Sequence, residues 1–342
     1  MNNYVFKLVA VFLLTFFCFS CGHQGTAPVR ISGEAQGTYY SVIYYDSLQR
    51  DLRPQIDSLL DEFDLTASLW VDNSEICHVN GLVSSIPVSP LFADIFQKSM
   101  QIEYETDGCF NCRIAPLVSA YGFARSQRME LNDQQRDSLL ELCHSRVWLD
   151  TLANGTIMLK KQFPEAKLDF NAIAQGYSVD LLCDYLSSIG LSSFLVDVGG
   201  EVRTVGHKPN GDSWIVGVER PSSDKYEGRA VEVAVGLSNL SIVTSGSYRK
   251  YYEKEGVRYS HTIDPSTGRP VAHTTLSASV VDSMAWRADA LATAFMVMGH
   301  ERAEQWLSSH PEVSEAYFIY DVNGCNAHFA TSSFQARIDN AK

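Results

Sequence analysis

The chain has 342 residues, 45% of them hydrophobic and 20% charged, with a formal net charge of −13. This balance is globular, and the length fits one large domain or two intimate lobes. The excess of carboxylates excludes a nucleic-acid surface built on Lys and Arg, and no short segment is basic enough to reverse that. An acidic protein that handles a polyanionic small molecule needs local compensation, from a metal ion or from helix N-termini.

In chain order, Lys7 precedes LVAVFLLTFFCF, an apolar run of signal-peptide length and too short for a comfortable membrane span. Residues 1–20 are expected to be that signal. Cys21 follows Ser20 and precedes Gly22 in FSCG, which resembles a bacterial lipoprotein signal whose Cys is acylated and becomes the mature N-terminus. Cys18 departs from the pattern, standing where such signals usually carry Leu. Residues 21–32 then form a lipidated N-terminus and polar linker. The folded part is expected on the periplasmic side of a membrane that holds its acyl chains. An uncleaved anchor gives the same placement.

Residues 36 to 45, QGTYYSVIYY, are rich in Tyr, Val and Ile and predict a strand. Leu48, Leu52, Ile56, Leu59, Leu60 and Phe63 recur at helical spacing, with Pro54 awkward inside. Helices are predicted over Pro90 to Tyr104 and near Asp133 to Arg146. A long helix over 171–190 ends at Gly190. SSFLVDVGG predicts a strand meeting a glycine pair. From Trp214 to Ser283 the chain is strand-rich: WIVGVE, AVEVAVG, LSIVTSG, VRYSHTID and LSASVVDS. Helix returns at Trp286 to Met298 and at Glu301 to Ser308, and EAYFIYD closes as a strand. Strands in runs, with helices interspersed, predict an α+β fold of mixed or antiparallel sheets.

Six cysteines follow Cys21, namely Cys77, Cys109, Cys112, Cys143, Cys183 and Cys325. An exported protein can pair some of them. Cys109-Phe-Asn-Cys112 has redox or metal spacing, but no second CxxC supports it, so ordinary packing or an incidental disulfide is the expectation.

Four stretches carry chemistry. In LDFNAIAQGYSVD, Asp169 precedes small residues that begin a helix, and Gly176 admits close approach of another backbone. The helix N-terminus can face a phosphate, or Asp169 can be a cap and Gly176 a helix crossing; the residues leave both open. In FLVDVGGEVRTVG the glycine pair is a bend, without the spacing of a dinucleotide fingerprint. In YSHTIDPSTGRP, His261 sits beside a tight turn, placed for proton transfer or simply bonded within a sheet. In RADALATAF, Asp289 and Thr293 lie four apart on one helix face. They can present two oxygens to a hard cation, or Asp289 can cap the helix while Thr293 bonds back to its own backbone. No His/Cys cluster favours zinc.

Taken in order, QGTYY, SLWVDNSEICHVN, GCFNCRIAPLVSAYGFA, LDFNAIAQGYSVD, DVGGE, TSGSYR, YSHTIDPSTGRP and ADALATAFMVMG resemble the ApbE family of FAD:protein FMN transferases, often exported lipoproteins. The resemblance runs from about Gly33 to about Phe329. It implies an ApbE-like fold of two intimately packed lobes over 33–330, with 331–342 as a C-terminal tail. It implies Mg2+-dependent splitting of FAD at its pyrophosphate. AMP leaves, and FMN is attached by a phosphoester to a Ser or Thr of an extracytoplasmic redox protein. Asp289 and Thr293 match the family's metal positions, with a backbone oxygen at Ala172. Flavin contacts correspond to Gln36, Trp70, Cys109, Phe110, Asn111, Asp169, Gln175 and Ile263. His261 is the candidate base for the acceptor hydroxyl. Two positions depart: the family usually has Met where Gln36 stands and an acidic residue where Asn111 stands. The competing readings are an FAD pyrophosphatase that releases FMN and AMP to water, and a lipoprotein that holds FAD without chemistry.

Overall fold

In the computed structural model the described residues are 27–123, 127–221, 230–247, 251–254, 257–260, 262–310 and 315–341. The expected signal segment, Cys21 and His261 lie outside them.

A hairpin opens the fold: β1 (Val29–Ala35) pairs with β2 (Thr38–Tyr44). Its turn is Gln36-Gly37, both at positive φ, 54° and 72°. The strand expected from residue 36 therefore starts two residues later, and β1 reaches back into the segment expected to be linker. Helix α1 (Arg53–Ala67) begins after Leu52, which resolves the awkward proline. Pro54 lies in the first turn, where no intrahelical partner exists for the missing N–H. Ile56, Leu60, Phe63 and Ala67 form its buried stripe. After α2 (Glu75–Val79) and β3 (Ser85–Pro87), Ser89 caps α3 (Pro90–Glu105) by accepting from the Phe92 N–H. Short α4 (Ala115–Ala120) leads to α5 (Asp133–His144), which starts on a capping box of Asn132 and Gln135. Strands β4 (Val147–Thr151) and β5 (Ile157–Lys161) join β3 in a three-stranded antiparallel sheet, order β3-β5-β4.

Helix α6 (Ala174–Ser188) starts three residues later than expected. Then come β6 (Phe194–Val198), β7 (Glu201–Val205), β8 (Trp214–Glu219), β9 (Val231–Leu237) and β10 (Ser241–Gly246). Two small hairpins follow, β11 (Tyr251–Lys254) with β12 (Val257–Ser260), and β13 (Ile263–Asp264) with β14 (Arg269–Pro270). The chain continues through β15 (Thr275–Asp282), α7 (Ala285–Met298), α8 (His300–Ser309), β16 (Glu315–Val322), β17 (Cys325–Ala330) and α9 (Ser332–Asp339). The last of these was expected to be tail, yet Phe334 is fully buried and Ile338 nearly so.

The main sheet has eight strands in the order β1-β2-β6-β7-β10-β15-β16-β17, antiparallel at every pairing. The architecture is the α+β class expected. Both faces of the sheet are covered, and strand alternation divides them. On β10, β15 and β16, Val243, Val280 and Phe318 pack under α7, while Ile242, Val281 and Ile319 face the β8–β9 hairpin and α9. The core beneath α7 also contains Leu159 of the small sheet, so the two sheets share one hydrophobic interior.

Candidate active site

The sequence of α7, AWRADALATAFMVM, is apolar around most of its circumference, which is why it runs largely buried between the main sheet and α3. Asp289 is the carboxylate on this helix and is 5% exposed. Across from it runs α6. The helices approach so closely that a Cβ on Gly176 would lie 2.3 Å from the carbonyl oxygen of Ala285 and 2.8 Å from Asp289 Cβ. Gly176 is thus a helix crossing, as one of its two readings held.

This contact has a chemical consequence. In a regular helix the Gly176 N–H would donate to the carbonyl of Ala172, four residues back. Here it donates instead to Asp289 Oδ2 at 3.0 Å. Among the described residues nothing else bonds the Ala172 carbonyl, and nothing bonds Asp289 Oδ1. One helical turn on, Thr293 Oγ1 lies 3.3 Å from Ser245 Oγ of β10. Ala172, Asp289, Thr293 and Ser245 all line one cavity of about 810 Å3.

The cavity gathers the expected residues. Gln36, Trp70, Cys109, Phe110, Asn111, Asp169, Gln175 and Ile263 line it together with Ala172, Asp289 and Thr293. Thr262 and Ile263, which follow His261 in the chain, line it too. Phe63, Ile114, Val118, Met296 and Val297 supply apolar wall, suited to a flat aromatic ligand. Trp70 is 59% exposed, so it is no core tryptophan, and it lies on the cavity wall. Asp169 is buried, and its carboxylate accepts the Asn171 N–H at 2.8 Å in the turn before α6 rather than capping the helix itself. Burial raises its pKa, and the Asn171 N–H opposes that rise. Asn111 is engaged by the protein itself: Oδ1 accepts from the Arg113 N–H of its own loop at 2.7 Å, and Nδ2 donates to the Cys143 carbonyl of α5 at 3.3 Å. Gln36 accepts from Ser178 Oγ at 3.3 Å, while its Nε2 is buried without a partner among the described residues.

At the start of α6 two N–H groups are already engaged: Ala174 N–H donates to the Phe170 carbonyl and Gly176 N–H to Asp289. The glycine pair Gly199-Gly200, with φ of 67° and 113°, is the two-residue turn of the β6–β7 hairpin. Cys109 and Cys112 are free and buried, packed in the core, and burial pushes Cys112 up to about 12.

The electrostatics point one way. Asp64, Asp169, Asp197, Glu201, Glu219 and Asp289 line the cavity, and no Lys or Arg does among the described residues. Burial pushes the Asp289 carboxyl well above the usual carboxylate range, Asp180 adds to the rise, and the Gly176 N–H opposes it. No ion pair to Asp289 is found among the described residues. A buried carboxylate of this kind is stabilised by a cation. One carboxylate oxygen, one hydroxyl and one carbonyl form a hard-oxygen set that leaves positions for water and phosphate, the manner in which Mg2+ is usually held. The residues therefore fit that ion. Sequence reasoning missed Ser245, although it lies within TSGSYR, and Asp64, which carried no local signal.

The profile of the ApbE family matches residues 36–318. A Vibrio cholerae protein named FAD:protein FMN transferase is 33% identical over 308 residues, covering 88% of this chain and 89% of that protein. The Escherichia coli (strain K12) protein of the same name is 31% identical over 314 residues, with 88% and 89% covered. Among solved structures, flavin transferase ApbE from Vibrio cholerae matches with a TM-score of 0.76 at 31% identity, over 91% of this chain and 99% of that one. Pseudomonas stutzeri flavinyl transferase ApbE, in its apo form, gives 0.79 at 28% identity, over 91% and 96%.

Proposed function

This chain belongs to the ApbE family, and we propose that it is a Mg2+-dependent FAD:protein FMN transferase. In this reading the hydroxyl oxygen of an acceptor Ser or Thr bonds to the phosphorus on the FMN side of FAD. The bond from that phosphorus to the AMP moiety breaks, and AMP departs while FMN stays on the protein as a phosphoester. The observation that carries the reading is the trio of underused oxygens on the cavity wall: Asp289 Oδ1, Thr293 Oγ1 and the Ala172 carbonyl, whose usual helical donor is bonded to Asp289. Bound there, Mg2+ would neutralise pyrophosphate charge that the acidic cavity otherwise repels.

The chain's own residues then divide the remaining work. Trp70 and the apolar wall of Phe63, Ile114 and Val118 take the ring systems of FAD. The buried Gln36 Nε2 and the Gln175 amide present hydrogen-bond donors to flavin or phosphate oxygens. Asp169 accepts from a ring N–H. His261, outside the described residues, takes the proton of the acceptor hydroxyl; if His261→Ala transferred FMN at the wild-type rate, that role would be refuted. The acceptor is an extracytoplasmic domain of a redox protein. Acylation at Cys21 would hold the enzyme beside it at the membrane, and a Cys21→Ser variant that still fractionated with membranes would remove the anchor from the proposal.

The test is direct. The soluble part is incubated with FAD, Mg2+ and a candidate acceptor domain. Flavin fluorescence that survives a denaturing gel, together with free AMP, supports transfer. AMP with free FMN alone assigns hydrolysis instead, and intact FAD assigns storage.

A further inference from the structure

A carboxylate with no assigned role stands behind the proposed cation site. Asp180, on α6 one helical turn after Gly176, is 4% exposed. Its Oδ1 accepts from the Ala285 N–H at 3.1 Å and its Oδ2 from the Trp286 N–H at 2.8 Å. These are first-turn N–H groups of α7, whose own N-cap residue, Met284, supplies no side-chain bond. The helix is capped by its neighbour, and Arg203 of β7 holds the cap from behind at 2.6 Å from Asp180 Oδ1. Four residues back on the same face of α6, Gly176 makes the second tie to α7 through Asp289. Two ties one turn apart fix both the slide and the rotation of α7 against α6. Only that register brings Asp289 and Thr293 of one helix to the same wall as Ala172 at the head of the other.

We propose that Asp180, braced by Arg203, is a positioning residue for the divalent cation: it sets the register of α7 against α6 and thereby assembles the oxygen trio. The proposal rests on the reading of that trio as a Mg2+ site. Asp180 itself touches neither cation nor substrate.

The test uses Mn2+ as the probe, titrated into the folded protein with ADP as a non-reacting diphosphate and followed by the loss of free-Mn2+ EPR signal. Wild type is measured first; if it binds no Mn2+, the cation reading itself fails, whatever the variants do. With wild-type binding established, Asp180→Asn should weaken Mn2+ about tenfold. Arg203→Met separates positioning from charge. Loss of a nearby positive charge by itself would tighten a cation, whereas a loosened cap should weaken Mn2+ about threefold. At saturating Mg2+, both variants should recover kcat to within about threefold of wild type, with KM for FAD unchanged. Wild-type Mn2+ affinity in folded Asp180→Asn, or unchanged or tighter binding in Arg203→Met, would overturn the proposal. Should Asp180→Asn fail to fold, Arg203→Met alone decides.

Discussion

Gly176→Ala is the smallest change that reaches the proposed cation site, and its effect can be worked from the structure. The added methyl would sit 2.3 Å from the Ala285 carbonyl oxygen and 2.7 Å from its carbon, where ordinary contact begins near 3.4 Å. Both obstacles are backbone, inside a largely buried helix, so no side-chain rotamer relieves them. The helices must separate by about 1 Å, and overpacking of this kind costs about 1–3 kcal/mol. Alanine's better helix propensity returns about 1 kcal/mol. The net loss is about 0–2 kcal/mol, or at most roughly 3 °C in Tm for a chain of this size. Activity should suffer far more. Separation of α6 from α7 breaks the bond from Gly176 N–H to Asp289, returns that N–H to the Ala172 carbonyl, and moves the carboxylate. A displacement of this size costs about 100-fold in rate when it misplaces reacting groups. AMP release from FAD, measured against Mg2+ concentration, should fall about 100-fold with a raised Mg2+ requirement, while the melting curve moves little. Wild-type AMP release by a folded Gly176→Ala protein would refute the reasoning.

Further outcomes follow from the same geometry. Asp289→Asn keeps an oxygen for the Gly176 N–H but removes the buried charge. It should abolish AMP release, and the metal-free variant should melt no lower than wild type at pH 8, because a carboxyl with a raised pKa destabilises the fold once ionised. Addition of Mg2+ with ADP should raise the melting temperature of wild type and leave this variant unmoved. Asp64, pushed up to about 6 by burial and by the charge of Asp61, destabilises the fold progressively as pH rises from about 4 to above 6. Its shift corresponds to about 3 kcal/mol, which partial solvent exposure reduces to about 1. Asp64→Asn should therefore be more stable by about 1 kcal/mol in urea at pH 8, with no gain at pH 4. Lys161 is buried and donates to the carbonyls of Val79, Gly81, Pro164 and Ala166 at 2.8–3.0 Å. Lys161→Met strands those carbonyls and should cost about 3 kcal/mol in urea unfolding, with KM for FAD unchanged.

The fold was legible where one period dominated. Helices α3 and α7 and strands β6, β10, β15 and β16 fell close to their expected bounds, since each either buries one regular face or is apolar nearly throughout. Strands β4 and β5 are not legible because VWLDT and IMLKK bury few residues each and show no regular apolar alternation. Helix α9 is hidden in the sequence because only Phe334 and Ile338 anchor it among polar residues, and the strand it packs on most, β9, lies far back in the chain. The cavity was legible in its parts but not in its assembly. Asp289, Thr293 and Gly176 stood out as residue types in odd company. That Gly176 hands its N–H to Asp289, and so releases the Ala172 carbonyl, depends on a helix crossing that no local pattern encodes. Asp180, at the end of LDFNAIAQGYSVD, shows no local sign of its role for the same reason: its partners, Ala285 and Trp286, lie more than a hundred residues away.

The most direct measurement is a crystal structure of the protein with Mn2+ and ADP, with anomalous differences collected to locate the metal. The expected result is one anomalous peak within coordination distance of Asp289 Oδ1, Thr293 Oγ1 and the Ala172 carbonyl, in contact with the diphosphate. A diphosphate bound in the cavity with no metal at those three oxygens, or a metal held elsewhere, would contradict the proposed cation site.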